Sequence, residues 1–127
     1  MSRSWAERGF AWRVGIVGVA ALAVRLVYLA EIADTPLFRV PVVDARTYVD
    51  EARYLVQESW LGRPVPFWQP PLYPYLLALV FAVGGEDYLV PRLLQAALGA
   101  AVCVLTCLIG CRVFSPAVGL AAGLAAA

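Results

Sequence analysis

The chain of 127 residues is 62% hydrophobic and only 15% charged, with a formal net charge of +1. An average soluble domain is about half apolar and about a quarter charged, so a bilayer is the expected solvent for the long apolar runs. The small net charge gives no basis for a nucleic-acid partner. The absence of histidine and lysine excludes a histidine-based triad, a histidine-ligated metal and a lysine Schiff base within these residues.

The first apolar run predicts a transmembrane helix over residues 13–30. Three arginines, Arg3, Arg8 and Arg13, precede or begin this run against one acidic residue, Glu7, so the positive-inside rule predicts a cytoplasmic N-terminus. The run covers about 26 Å as a helix, enough to cross a bilayer core with its flanks. A cleaved signal peptide is the alternative, but the apolar run is longer than a typical signal core.

Arg25 interrupts this apolar run. A guanidinium inside a span costs about 2.5–3.5 kcal/mol on insertion scales, so the side chain needs a compensating environment. Two alternatives stay open: the side chain snorkels to the outer interface, or it faces the interior of the helix bundle, near an anionic ligand or Asp44.

Residues 31–71 form the predicted first external loop, which contains an amphipathic juxtamembrane helix over 44–60. Its apolar residues recur at helical spacing and are Ala45, Tyr48, Val49, Ala52, Leu55 and Val56. The charged residues lie off this stripe, as is typical of a helix lying in the membrane interface. Asp44 stands just before the first periodic residue, where an N-cap is expected, and Gly62 followed by Pro64 predicts the end of the helix.

Three later segments complete the predicted all-α membrane fold. Residues 72–84 are apolar but short, which predicts a re-entrant or short membrane helix, whereas residues 89–114 predict a second span. The charges favour a non-crossing segment 72–84, because Arg112 then faces the cytoplasm. Ser115 predicts the N-cap of a further, truncated span over 116–127, and the chain is expected to be the N-terminal part of a longer protein.

Cys103, Cys107 and Cys111 recur every four residues, in line with Gly99. Residues at this spacing share one face of a helix. A metal or redox site is one interpretation of the row. A row of small residues that admits a neighbouring helix is the other, and it is favoured because no other type of ligand lies nearby.

Several short motifs follow one another over nearly the whole chain: Arg25-Leu26, Asp44-x-x-x-Tyr48, Trp60-Leu61-Gly62, Phe67-x-Gln69-Pro70-Pro71-Leu72-Tyr73-Pro74, Gly84-Gly85, Arg92-Leu93 and Arg112-Val113-Phe114. In this order and spacing the chain resembles the N-terminus of the GT-C class of integral-membrane glycosyltransferases. Within that class it is most similar to the protein O-mannosyltransferase and lipid A aminoarabinose transferase group.

The resemblance implies a cell-envelope enzyme that transfers a sugar, with inversion, from a polyprenyl-phosphate donor to an acceptor hydroxyl of a lipid, glycan or protein. An acidic residue in the first external loop acts in catalysis in this family, and Asp44 occupies that place. Asp44 would accept the proton of the hydroxyl, a role typically worth about 10²–10⁴-fold; helix capping alone is the alternative. The implied location is the bacterial inner membrane, with the loop in the periplasm.

Two places depart from the family pattern. Ala45 stands where several relatives have Glu, and Trp68 and Gln69 stand where the aminoarabinose group has a Glu-Lys pair that serves the metal and the lipid phosphate. No metal ligand is therefore assigned, and a divalent metal in the full-length enzyme stays open. The predicted substrate-binding residues are Arg25, Tyr48, Arg63, Gln69, Tyr73 and Arg92. An interfacial aromatic belt is the alternative to sugar stacking for Trp68 and Tyr73.

Two other classes of function stay open. A non-catalytic membrane anchor or assembly subunit would bind a partner through the face formed by Tyr48, Ala52 and Leu55. A transporter fragment would use Arg25 on its substrate path. The 127 residues alone are expected to be inactive as an enzyme, since one carboxylate and a few arginines do not enclose a donor.

Overall fold

A computed structural model of the protein describes residues 3–127, so residues 1 and 2 of the arginine-rich start lie outside it. Within these described residues, six helices follow one another: α1 (Arg3–Ile32), α2 (Pro36–Arg39), α3 (Asp44–Gln57), α4 (Leu72–Gly84), α5 (Leu89–Val113) and α6 (Pro116–Ala125). The described residues contain no strand, which confirms the all-α prediction.

Two of these helices are long and apolar enough to cross a membrane. They are the Phe10–Ile32 part of α1, with a mean hydropathy of 1.9, and α5, with a mean hydropathy of 2.2. Only 11% and 28% of their most apolar stretches are buried within the protein, unlike the core helix of a soluble domain. By length and composition, α4 and α6 are shorter apolar helices.

The chain divides into two compact units. The first, here called the α1–α5–α6 unit, comprises residues 1–31 and 93–127, and the second, the α3–α4 unit, comprises residues 32–92.

Small residues hold the α1–α5–α6 unit together. Its buried cluster joins two residues of α1 to three of α5, namely Val17, Ala21, Ala100, Cys103 and Cys107. A Cβ atom added to Gly123 would lie 2.7 Å from Cβ of Cys107, and one added to Gly119 would overlap Sγ of Cys111. The backbones of α5 and α6 are therefore nearly in contact, which confirms the prediction that the cysteine row admits a neighbouring helix.

The start of α6 follows its prediction. Ser115 is the N-cap, and its hydroxyl accepts a hydrogen bond of 3.3 Å from the backbone N–H of Val118. Pro116 fills the first helical position, where a missing N–H costs nothing.

The α3–α4 unit has its own apolar core. Val49, Ala52 and Leu55 of α3 pack against residues of α4 that recur at helical spacing, Leu77, Ala78 and Phe81. The predicted apolar stripe of α3 is thus confirmed from Tyr48 to Val56, where α4 covers it, whereas Ala45 is exposed. Ala52 and Leu55 are fully buried in this contact.

Both ends of α3 differ from the prediction. The N-cap is Val43, with φ 49°, and Asp44 is the first helical residue and makes no side-chain cap hydrogen bond. The predicted capping by Asp44 is therefore wrong, because the chain turns one residue earlier than the periodicity indicates. The helix ends at Gln57 and not at residue 60, since Ser59 already belongs to a turn closed by the N–H of Gly62.

We predict that Gly119→Ala destabilises the intact protein, because the new methyl group meets both side-chain and backbone atoms of α5. Overpacking of this kind costs about 1–3 kcal/mol. Gly15→Ala is the matched control, since no atom lies within 4 Å of its added Cβ and alanine favours helix by up to about 1 kcal/mol. Thermal unfolding in detergent should show a lower midpoint for the Gly119 variant alone. Equal midpoints for the two variants would contradict the close α5–α6 contact.

Candidate functional site

Asp44 opens α3 with its carboxylate exposed. Among the described residues, no hydrogen-bond or ion-pair partner holds this carboxylate. It lies in the first turn, where the positive end of the helix dipole stabilises negative charge. The preceding Val43 has a positive φ, which is rare for a β-branched residue and costs about 1–3 kcal/mol. Strained backbone conformations cluster at functional sites, so a strained turn that presents an unpaired carboxylate indicates a candidate site.

Tyr48 and Tyr73 form an aromatic pair next to Asp44. Tyr48 is four residues after Asp44, so the two side chains share a face of α3. The rings of Tyr48 and Tyr73 meet edge to face, with centroids 4.9 Å apart and planes at 87°. Burial raises the pKa of Tyr73 above its ordinary value of 10.0, while the positive charge of Arg92 opposes that rise.

Arg92 is the cation of this group and lies in the first turn of α5. Its guanidinium stacks over the ring of Phe38 at 4.1 Å and donates a hydrogen bond of 2.9 Å to the Phe38 carbonyl oxygen. Phe38 of the short helix α2 thus orients Arg92 through both its ring and its carbonyl oxygen. The structure links Tyr48, Tyr73 and Arg92, and Asp44 lies one turn before Tyr48 on α3. These predicted site residues are called the Asp44 cluster: Asp44, Tyr48, Tyr73 and Arg92.

Arg63 has other partners. Its Nε donates to Glu51 at 3.0 Å, and its guanidinium lies 4.2 Å from the ring centre of Tyr54. Glu51 is about two turns along α3 from Asp44. The Arg63 charge is therefore already compensated by a carboxylate, and its predicted phosphate contact would require breaking that pair.

Gln69 carries an unsatisfied atom. Its side-chain carbonyl oxygen is shielded from solvent and has no hydrogen-bond partner among the described residues. Such an atom costs about 1–3 kcal/mol and needs a donor. A hydrogen-bond donor would satisfy this oxygen, whereas a phosphodiester, which only accepts hydrogen bonds, would not.

Arg25 belongs to the α1–α5–α6 unit and faces its interior. Its Nη1 donates to the carbonyl oxygens of Ala21 at 2.9 Å and Ala127 at 3.0 Å, and its Nη2 lies 3.6 Å from Sγ of Cys103. A Cβ atom added to Gly99 would come within 2.5 Å of its Nε. This is the inward-facing alternative, with backbone carbonyls as partners, and not the snorkelling one.

Two interactions of the α3–α4 unit could not be predicted from any pattern in the sequence. Phe38 lies 54 residues from Arg92, in a loop whose prolines indicate only irregular structure. Arg53 pairs with Glu86 at 2.9 Å and donates to the Tyr88 hydroxyl at 3.2 Å. The hydrogen bond that Arg53 donates to the Glu86 carboxylate raises the pKa of Arg53. A third feature, the close contact of α6 with α5, could have been predicted from the sequence, because the Gly119-x-x-x-Gly123 spacing permits close helix contact.

Comparison of the chain with protein-family models, with curated proteins and with solved structures finds no match.

We predict that Tyr73 ionises above pH 10, because its phenolate would be poorly solvated. A raised pKa in the folded state means that the protonated phenol supports the fold below pH 10, and that this support is lost as the pH rises through the folded pKa. The phenolate absorbance of the wild type minus that of Tyr73→Phe isolates this titration. Arg92→Gln should move the midpoint further up, since the arginine favours the phenolate. If Arg92→Gln left the midpoint of the Tyr73 titration unchanged, the charge of Arg92 would have no effect on the Tyr73 hydroxyl.

Proposed function

We propose that the chain is the N-terminal portion of an integral-membrane glycosyltransferase, which moves a sugar from a polyprenyl-phosphate donor to an acceptor hydroxyl on the external face of the membrane. The observation that carries the proposal is the Asp44 cluster. Within one compact unit, Asp44 stands one helical turn before Tyr48, the rings of Tyr48 and Tyr73 meet edge to face, and the guanidinium of Arg92 stacks on Phe38. Two apolar helices long enough to cross a bilayer support the membrane location, proposed to be the bacterial inner membrane with a cytoplasmic N-terminus.

Asp44 has the properties that a general base in this reaction requires. Its carboxylate is exposed and held by no cation of the described residues, so it is available to accept a hydrogen bond from an acceptor hydroxyl. The hydroxyl oxygen attacks the anomeric carbon of the sugar, and its proton passes to Asp44. The bond between the anomeric carbon and the phosphate oxygen breaks, and the phosphate leaves with the electron pair.

Arg92 is suited to the leaving phosphate. Negative charge grows on the phosphate as the bond breaks, and a cation fixed in advance stabilises that charge without reorganising. Stacking on Phe38 provides the orientation. The position of Arg92 in the first turn of α5 adds its charge to the positive end of that helix.

The aromatic pair fits the sugar, which lies between acceptor and phosphate in the donor complex. Tyr48 and Tyr73 offer an edge-to-face pair of aromatic rings and two hydroxyl groups to a bound sugar. The unsatisfied oxygen of Gln69 supplies a further acceptor for sugar hydroxyls. No group of three metal-ligating side chains comes together in the described part of the chain, and a divalent metal in the full-length enzyme stays open.

The alternative functions have less support. A partner-binding subunit was expected to use the Tyr48, Ala52 and Leu55 face, but Ala52 and Leu55 are fully buried against α4. A transporter was expected to use Arg25, whose donors engage backbone carbonyls of its own unit.

We predict that Asp44→Asn abolishes sugar transfer by the full-length protein, lowering it about 10²–10⁴-fold as expected for loss of a general base. The assay measures transfer from a radiolabelled polyprenyl-phosphate sugar in membranes that contain matched amounts of each variant. Asp34→Asn is the control, since Asp34 is also an exposed acid of the loop and lies outside the Asp44 cluster. Transfer that persists in the Asp44 variant at the wild-type rate would remove this residue from the mechanism.

A further inference from the structure

The α3–α4 unit contains a long stretch without charge. Residues 64–85, which include the loop before α4 and the whole of α4, contain no Asp, Glu, Lys or Arg. All charged residues of the unit lie before this stretch, from Asp34 to Arg63, or after it, from Glu86 to Arg92. Charged and uncharged parts of this unit are therefore separated along the chain.

Helix α4 has two apolar faces, of which only one is covered. Pro74, Leu77, Ala78 and Phe81 are buried against the unit. On the other side, Leu72 is 83% exposed, Leu79 56% and Val83 92%. These three residues are spaced by seven and four, so they form one continuous outer face. A helix that is apolar all round is typical of a protein core or a membrane.

The loop before α4 extends this outer face. Leu61 and Trp68 are each 92% exposed, although the loop itself is held firmly. The ring of Phe67 lies directly against Gly62, and the Tyr75 hydroxyl donates a hydrogen bond of 3.0 Å to the carbonyl oxygen of Trp60. The loop thus directs one set of aromatic residues inward and presents large apolar side chains outward from a fixed backbone.

Both ends of α4 are tied to the same helix. Tyr73, in its first turn, packs on Tyr48 of α3, and Glu86, just after its end, pairs with Arg53 of α3 at 2.9 Å. Helix α3 carries a row of charged residues and is not a candidate span. A crossing α4 would carry its two ends to opposite sides of the membrane, which these two contacts do not allow. Its 13 residues also cover only about 20 Å of the roughly 30 Å hydrocarbon core.

We infer that the outer face of α4, together with the loop around Trp68, is a bilayer-docking surface whose partner is the acyl region of one leaflet. Helix α4 lies in that leaflet and returns to the side of the membrane on which Asp44 stands. Lipid is the partner that this chemistry favours, because the surface is free of charge, carries an exposed tryptophan at its edge, and continues in the chain, after Glu86 and Asp87, into the candidate span α5. The inference does not depend on the proposed sugar transfer.

Single-cysteine labelling of the full-length protein tests this topology. Cys103, Cys107 and Cys111 are replaced by alanine, and a membrane-impermeant maleimide is applied from one side of sealed vesicles. Asp34→Cys and Asp87→Cys should react from the same side, and Phe114→Cys only from the other. If α4 crosses, Asp34→Cys and Phe114→Cys share a side and Asp87→Cys is opposite, which overturns the inference. Because Asp87 accepts a hydrogen bond from the N–H of Leu89, Glu86→Cys must give the same side as Asp87→Cys.

Tryptophan fluorescence tests the partner. Trp68 is kept as the single tryptophan, with the others replaced by phenylalanine, in phosphatidylcholine vesicles with or without bromine on the acyl chains. Brominated lipid should quench Trp68, while acrylamide in the water phase quenches it little. Strong acrylamide quenching without an effect of bromine would overturn the inference. Protection from both quenchers would also overturn it, since that pattern indicates a protein partner.

Discussion

The packing of α3 on α4 is the contact on which the proposed chemistry depends. Val49, Ala52 and Leu55 meet Leu77, Ala78 and Phe81 in the core of the unit. This contact places the ring of Tyr48 against the ring of Tyr73. Tyr73 in turn lies close enough to Arg92 for the arginine charge to oppose the rise in its pKa. Asp44 begins the same helix, so its position relative to the cation follows from the same core. A large-to-small substitution there would cost about 2–5 kcal/mol and would disturb the site without touching any of its residues.

The two units of the chain use different ways of bringing helices together. Large aliphatic and aromatic side chains fill the space between α3 and α4, as in a soluble core. Between α5 and α6 the residues are glycine and cysteine, and the backbones approach until an added Cβ would overlap. Close approach of small residues replaces the hydrophobic effect where lipid surrounds the helices, because lipid tails are as apolar as leucine. The small-residue packing of the α1–α5–α6 unit is thus of the kind expected between helices that lipid surrounds.

Local patterns were enough to predict α3 from its apolar stripe and α1 and α5 from their long apolar runs, but not the four-residue helix α2, which lies in a segment predicted as loop. The position of Ser115 before Pro116 was equally local. The partners of the site residues were not predictable, since they lie far apart in sequence: Tyr48 with Tyr73, Arg53 with Glu86, and Arg92 with Phe38. The predicted cap at Asp44 failed for a related reason. Val43 has a positive φ and ends the loop one residue before Asp44. A valine does not indicate a positive φ, so this position could not be predicted.

We propose that Arg92, and not Arg63, binds the donor phosphate, and the affinity of the full-length protein in detergent for a short-chain polyprenyl phosphate distinguishes the two arginines. A hydrogen bond to a charged group is worth about 1.5–3 kcal/mol, so Arg92→Gln should weaken binding by about one to two powers of ten. Arg63→Gln should leave binding near the wild-type value, because Arg63 is committed to Glu51. If the two substitutions weakened binding equally, or if the Arg92 variant bound as tightly as the wild type, Arg92 would not be the specific ligand of the phosphate.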